Sequence, residues 1–339
     1  MDMQRLEALP PPPGVIASLQ AGFSVVSSRI ILILLPLLLD VLLWLGPRLS
    51  IGRWYEEFFN NSLTLLRENR FPAQELAVYT ENAPLIIGYV ERVNWLVWLR
   101  TLPIGIPTLM LDLPEKMPVQ TPLGVQAVIQ LPSFLVMLAF FLLLTIAGWL
   151  GGGLYFRSVA GASLGANEPA TSLIWVFLQT TLLSVIWFIG LVVIVFPIVL
   201  LIGFLSALNI LLGQAAFFII LFFLFWLVVP LFFMPHGIFV RRQNAFLSIL
   251  SSVRMSRFTL PTSSMFVLSV FLLSRGLSYL WLVPSNDSWM VLIGIAGHAF
   301  ISTALLSASF VYYRNMNHWL QTVYERFQQM SNRSSIKKV

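Results

Sequence analysis

Residues 173–201 read LIWVFLQTTLLSVIWFIGLVVIVFPIVLL, 29 positions without a single Asp, Glu, Lys or Arg. A helix rises about 1.5 Å per residue, and about 20 mostly apolar residues cross a bilayer core, so this run is long enough to span one. In water it would have to be buried on every side, and the rest of the chain cannot do that. Hydrophobic residues make up 58% of the 339 positions and charged residues only 10%. Soluble domains carry about 25% charged residues. The mean hydropathy is +0.85. The run therefore reads as a membrane span.

Five further stretches satisfy the same length rule: residues 30–46, 131–156, 214–240, 262–283 and 289–311. The expected fold is all-α and polytopic, a six-helix transmembrane bundle. Two amphipathic helices are expected along the interface. In the first, Val15, Ile16, Leu19, Phe23 and Val26 recur at helical spacing behind Pro10–Pro13. In the second, Phe246, Leu247, Ile249, Leu250 and Val253 form the apolar side, within residues 243–257. The chain then divides into an N-terminal segment with its interfacial helix (1–29), a first span (30–46), an extracytoplasmic cap (47–130), a five-helix region (131–311) and a basic tail (312–339).

The basic residues set the expected orientation. With both termini cytoplasmic, the inner segments hold Arg5, Arg29, Arg157, Arg241, Arg242, Arg254, Arg257, Arg314, Arg326, Arg333, Lys337 and Lys338. The short outer connections hold no Lys or Arg, so the positive-inside rule selects this arrangement. The start, MDMQRLEALPPPPG, lacks the basic and apolar regions of a cleavable signal peptide. The first span is thus expected to act as its own insertion signal in the inner membrane.

The cap is the sizeable extramembrane part. Trp54, Tyr55, Phe58, Phe59, Leu63 and Leu66 predict one helix, and a second runs from Ala73 towards Trp98. The stretch NWLVWLRTLPIGIPTLMLDLPEKMP that follows cannot be one regular helix, because Pro103, Pro107, Pro114 and Pro118 interrupt it. Trp95 and Trp98 fit an aromatic belt, and the whole loop reads as a cap on the outer ends of the bundle.

Few motifs carry chemistry. Gly161-Ala162-Ser163-Leu164-Gly165 matches G-x-S-x-G but lacks the strand before it that a nucleophile elbow needs. Asn60-Asn61-Ser62 and Asn286-Asp287-Ser288 are glycosylation triplets of the kind that arise by chance. There is no cysteine. His236, His298 and His318 have no neighbour at ligand spacing, so no metal and no cofactor are expected. Gly148 and Gly152 form a GxxxG pair suited to close helix packing. Arg241, Arg242, Arg254 and Arg257 are candidates for anionic lipid headgroups, or simply carry the topology signal; nucleic acid is not expected.

The sharpest feature is a set of ionisable groups inside the spans: Asp40, Arg275 and His298. Counted from the outer ends of their spans, all three lie roughly 9–14 Å deep. They are expected to share one layer. An Asp40–Arg275 ion pair lets both stay charged, and the layer then either locks the first span to the fifth or lines a polar cavity.

A proline-bearing fourth span leads into a short helix with an alanine and serines, before basic residues open the fifth. Pro230, Pro235, Ala245, Ser248, Ser252, Arg254 and Arg257 carry this pattern. Mainly over its second half, the chain thereby resembles a group of six-span bacterial membrane proteins. These include the YciC-like proteins and the membrane domain attached to some glycerophosphodiester phosphodiesterases. The resemblance implies the fold; without the soluble catalytic domain it implies no phosphodiesterase activity. The expected function is that of a non-enzymatic membrane protein, with no catalytic residues, that binds lipid or scaffolds a membrane-protein partner or its own copies. The alternative is a small transporter with its site at Asp40, Arg275 and His298.

Overall fold

The computed structural model describes residues 10–69, 71–111, 117–165 and 172–336. Arg5, Asp112, Pro114, Lys337 and Lys338 lie outside them. Among the described residues five helices are long and apolar enough to cross a membrane, and a bent pair makes a sixth if it counts as one span. This is the build of a multi-pass membrane protein.

The bent pair comes first. Helix α1 (Val15–Ser28) and a 3-10 turn (Ile30–Ile33) lead into α2 (Leu34–Leu45), with a 97° bend between the two halves. Ser18, Gly22 and Val26, spaced by four, form the buried stripe of α1. A side chain at Gly22 would overlap the backbone of Ala304 and Ala308 in the last helix, so α1 lies directly on that helix. Trp319 Nε1 donates to the Pro10 carbonyl at 2.7 Å and ties down the start.

A platform of irregular chain follows. Strand β1 (Arg48–Ser50) pairs in parallel with β4 (Val128–Gln130), and β2 (Gln120–Thr121) pairs antiparallel with β3 (Gly124–Val125). Between them stand α3 (Gly52–Glu68) and α4 (Ala73–Arg92), then a 3-10 turn (Trp95–Leu99). Polar side chains finish the helix ends here. Gln126 Nε2 donates to the carbonyls of Leu43, Trp44 and Gly46 at the end of α2. Buried Arg48 donates to Arg92 O at 2.6 Å, and burial lowers its guanidinium below the ordinary value.

The bundle proper contains α5 (Phe134–Leu164), α6 (Leu173–Leu208), α7 (Ile210–Phe233), the short α8 (His236–Val240), α9 (Ala245–Trp281) and α10 (Val291–Ile336). Helices α6 and α7 form a hairpin turned by Asn209, whose side chain accepts the Leu211 N–H at 2.8 Å. Along the 188–228 stretch of that hairpin most described residues are exposed, as lipid contact requires. Helix α10 is the central post: residues from Ile295 to Met316 supply most of its fully buried positions.

Helix α9 is two helices joined across a kink, leaving helical geometry at Thr259 (φ −124°, ψ 18°), two residues before Pro261, which has no N–H to donate to the turn before it. That kink separates the segment expected at the interface from the expected span. The first part packs on the end of α7, and its serines have specific work there. Ser252 donates to the Pro230 carbonyl and Ser248 to that of Met234, both at 2.5 Å. These carbonyls close the α7 helix and lack helical partners, so the serines satisfy them inside an apolar layer. Replacing Ser252 with alanine is expected to cost about 1 kcal/mol, the usual worth of a polar link between membrane helices. Reversible unfolding in mixed micelles measures it, and an unchanged stability would remove this role.

Candidate functional site

Asp40 is fully buried, and the partner awaiting it is backbone. Its carboxylate accepts the Leu109 N–H on both oxygens, at 2.9 and 3.0 Å, and the Met110 N–H at 3.2 Å. His298 Nδ1 stands 3.5 Å from the second oxygen. Arg275 is exposed and forms no ion pair with Asp40. The expected Asp40–Arg275 pair is thus replaced by a clasp on the platform loop. The reason is geometric: the loop brings two N–H donors to the carboxylate, while Arg275 stands on an exposed part of its helix.

How far the loop descends follows from the glycines of α5. A Cβ on Gly148 would stand 2.6 Å from the Leu99 carbonyl oxygen, and one on Gly152 would stand 2.9 Å from Gly105 Cα. Gly148 and Gly152 therefore seat the loop backbone, where helix-on-helix packing was expected. They lie 14 and 18 residues after Phe134, about 21 and 27 Å along the helix axis at ~1.5 Å per residue. Ile104 and Ile106 at the tip are buried, and the Thr101 hydroxyl donates to the Ile104 carbonyl at 2.6 Å to close the turn. The segment 99–107 is thus no cap resting on the helix ends. It enters the bundle from the platform, and Leu109 beyond it packs with Trp44, Val291 and Ile295. Irregular backbone among apolar helices is tolerated only where protein buries it or where it lines a cavity.

Here it does both. Beneath the loop lies a cavity of about 530 Å³, within the ~300–1,000 Å³ range of small-molecule sites. Arg100, Pro103 and Pro107 form its roof, with Tyr155 and Phe156 on one wall. Trp187, Val228 and Phe232 of the α6–α7 hairpin face Val270 and Ser274 of α9, and Ser302, Leu305 and Ser309 of α10 form the back. The lining is mostly apolar, with isolated hydroxyls. At its floor His236 Nε2 and Ser309 Oγ are 2.7 Å apart, and the Tyr155 hydroxyl bonds Thr303 at 2.9 Å. Neither Asp40 nor His298 lines it. The layer expected from sequence is filled, and the hollow lies next to it.

No family profile, no curated protein and no solved structure matches this chain. The site must be read from its own chemistry.

The remaining sequence candidates separate cleanly. Arg241, Arg242, Arg254 and Arg257 are all exposed, away from the cavity lining. His318 is exposed on the extended end of α10. Ser163 of the G-x-S-x-G stretch sits within helix α5, donating to Val159 O and bonded to Ser307 at 2.8 Å. It links two helices, with none of the strand-to-helix turn that would present a nucleophile. Among the described residues no three His, Asp or Glu side chains group as metal ligands would. Sequence reasoning passed over Arg100, His236 and Ser309 as site residues. The available signal was an apolar loop, LRTLPIGIP, carrying one arginine among its prolines and glycine.

Proposed function

We propose that this is a non-enzymatic, lipid-interacting protein of the inner membrane that holds the apolar chain of a membrane amphiphile in the cavity beneath loop 99–107. The observation that carries the reading is the cavity itself, mostly apolar, with Trp187 and Val228 opposite Val270 as its side walls. Those walls belong to helices whose outer faces are lipid-exposed, so a chain enters from the bilayer without crossing water. In this reading the bent pair counts as the first of six spans, both termini are cytoplasmic, and residues 15–28 and 245–257 approach their spans along the inner interface. Arg241, Arg242, Arg254 and Arg257 then meet anionic headgroups on the cytoplasmic side. Such a protein serves as an accessory subunit or a scaffold beside a membrane partner or a second copy.

Mass spectrometry of the protein purified without added lipid is expected to reveal retained lipid. Ser302→Trp, which places an indole in the cavity, is expected to expel it. Equal lipid retention by both proteins would overturn the reading.

A transporter reading has one observation in its favour, the entry of irregular backbone deep into the bundle, a feature transporters share. It then places the substrate in the same cavity and away from Asp40 and His298. Uptake of a defined solute into proteoliposomes, lost in Ser302→Trp, would favour it.

A further inference from the structure

Arg100 lines the cavity at the level of Gly148, with Leu99 and Thr101 on either side pressed against that glycine. Its backbone is therefore fixed about 21 Å along α5 from Phe134, within the stretch long and apolar enough to cross a membrane. The side chain is exposed, and among the described residues it has no ion pair or hydrogen bond. Among the described residues no Asp or Glu lines the cavity. Arg275 is in the same condition: exposed, without a partner among the described residues, and one position past Ser274, which lines the α9 wall.

A guanidinium stays charged at any physiological pH, and a charge held among apolar helices is costly unless a counter-charge or water answers it. Buried Asp40 follows that rule, accepting two N–H groups from the loop. Arginine also offers a fork of donors that matches a phosphate or carboxylate. The contrast between an anion with bonded partners and two cations with none among the described residues is what needs an explanation.

We infer that the loop side of the cavity is an anion site, in which Arg100, with Arg275 one position past the lining Ser274, takes the phosphate or carboxylate group of the bound molecule. This rests on the cavity holding a ligand and adds the charge of that ligand's head. The chain lies among Phe156, Val270 and Leu305, and the anionic group lies at Arg100, the one Arg or Lys among the described residues that lines the cavity. Anionic glycerophospholipid is the class that satisfies both ends. A free phosphate-bearing solute satisfies the arginine end alone.

The test uses the full chain in detergent with equimolar phosphatidylglycerol and phosphatidylethanolamine, read by native mass spectrometry. The wild type is expected to prefer the anionic lipid about fivefold for each arginine engaged, the equivalent of about 1 kcal/mol per cation near a lipid headgroup. Arg100→Gln is expected to weaken phosphatidylglycerol binding more than phosphatidylethanolamine binding and so lower the preference, and Arg100→Gln with Arg275→Gln to abolish it. Arg100→Lys keeps the charge and part of the preference, which guards against a folding artefact. An undiminished preference in the double variant overturns the anion site. Inorganic phosphate, titrated against chloride at equal ionic strength, separates the two sources. Thermal stabilisation by phosphate that needs Arg100, without lipid preference, assigns the site to a free anion. Lipid bound equally by the wild type and Ser302→Trp, with the Arg100 effect intact, would remove the cavity reading and leave the anion site standing.

Discussion

Gly148→Leu is expected to be among the most damaging single substitutions in the bundle. A Cβ at this position would stand 2.6 Å from the Leu99 carbonyl oxygen and 2.8 Å from the Thr101 methyl. The first is backbone, so it cannot rotate away, and the loop must lift from α5 or the helix must shift. Forcing atoms into a packed site costs about 1–3 kcal/mol, and more where backbone has to yield. About 3 kcal/mol or more is the expected loss, measured by unfolding in mixed micelles. Gly161→Ala is the control, because nothing lies within 4 Å of its added methyl and alanine favours helix. The chain has no cysteine, so Leu102→Cys is a unique reporter of loop position. Its thiol labelling should accelerate in the Gly148→Leu background. Unchanged labelling and unchanged stability together would show that the glycines do not seat the loop.

This prediction marks the place where local reading of the sequence stopped. Apolar length made the long helices legible. The run at 173–201 became part of α6, and the segment from Trp54 to Leu66 became α3. Periodicity also separated the two parts of α9, because Pro261 breaks the same backbone that the kink at Thr259 bends. Gly148 and Gly152 were visible as a close-approach motif. A small-residue pair says that something comes near and leaves open what it is, and here it is the chain between Trp95 and Met110. The prolines excluded a regular helix there, which is correct, but a proline-rich apolar loop fits a surface cap as well as an inserted one. Only the tertiary contact decides between them.

The intramembrane charges show the same limit. Asp40 and His298 do lie side by side, as their distances from the span ends required. Depth, however, fixes one coordinate. Arg275 is on an exposed face of α9, and no count of residues along separate helices reports the direction a side chain takes around each. The carboxylate's true partners are main-chain N–H groups, which every residue except proline carries. A sequence offers no mark that singles out Leu109 and Met110.

Asp40→Ala tests that clasp, and its expected effect is the other large one. The substitution leaves the Leu109 and Met110 N–H groups without an acceptor in a buried layer, with His298 beside them. A buried donor deprived of its partner costs about 1–3 kcal/mol. Two such donors together bring the expected loss to about 3–5 kcal/mol, in the range found when one member of a buried polar pair is removed. Asp40→Asn keeps an acceptor oxygen and should recover part of the loss. Arg275→Leu decides between the two accounts of Asp40. If the carboxylate serves the loop, Arg275→Leu leaves stability within about 0.5 kcal/mol and adds independently to Asp40→Ala, as separated sites do. Rescue of Asp40→Ala by Arg275→Leu would instead make the two charges partners and place the loop contact second. Because the clasp also holds the roof of the cavity, Asp40→Ala should loosen lipid retention as well, whereas Asp40→Asn should preserve most of it. Loss of stability without loss of lipid would separate the clasp from the cavity and confine Asp40 to a structural role.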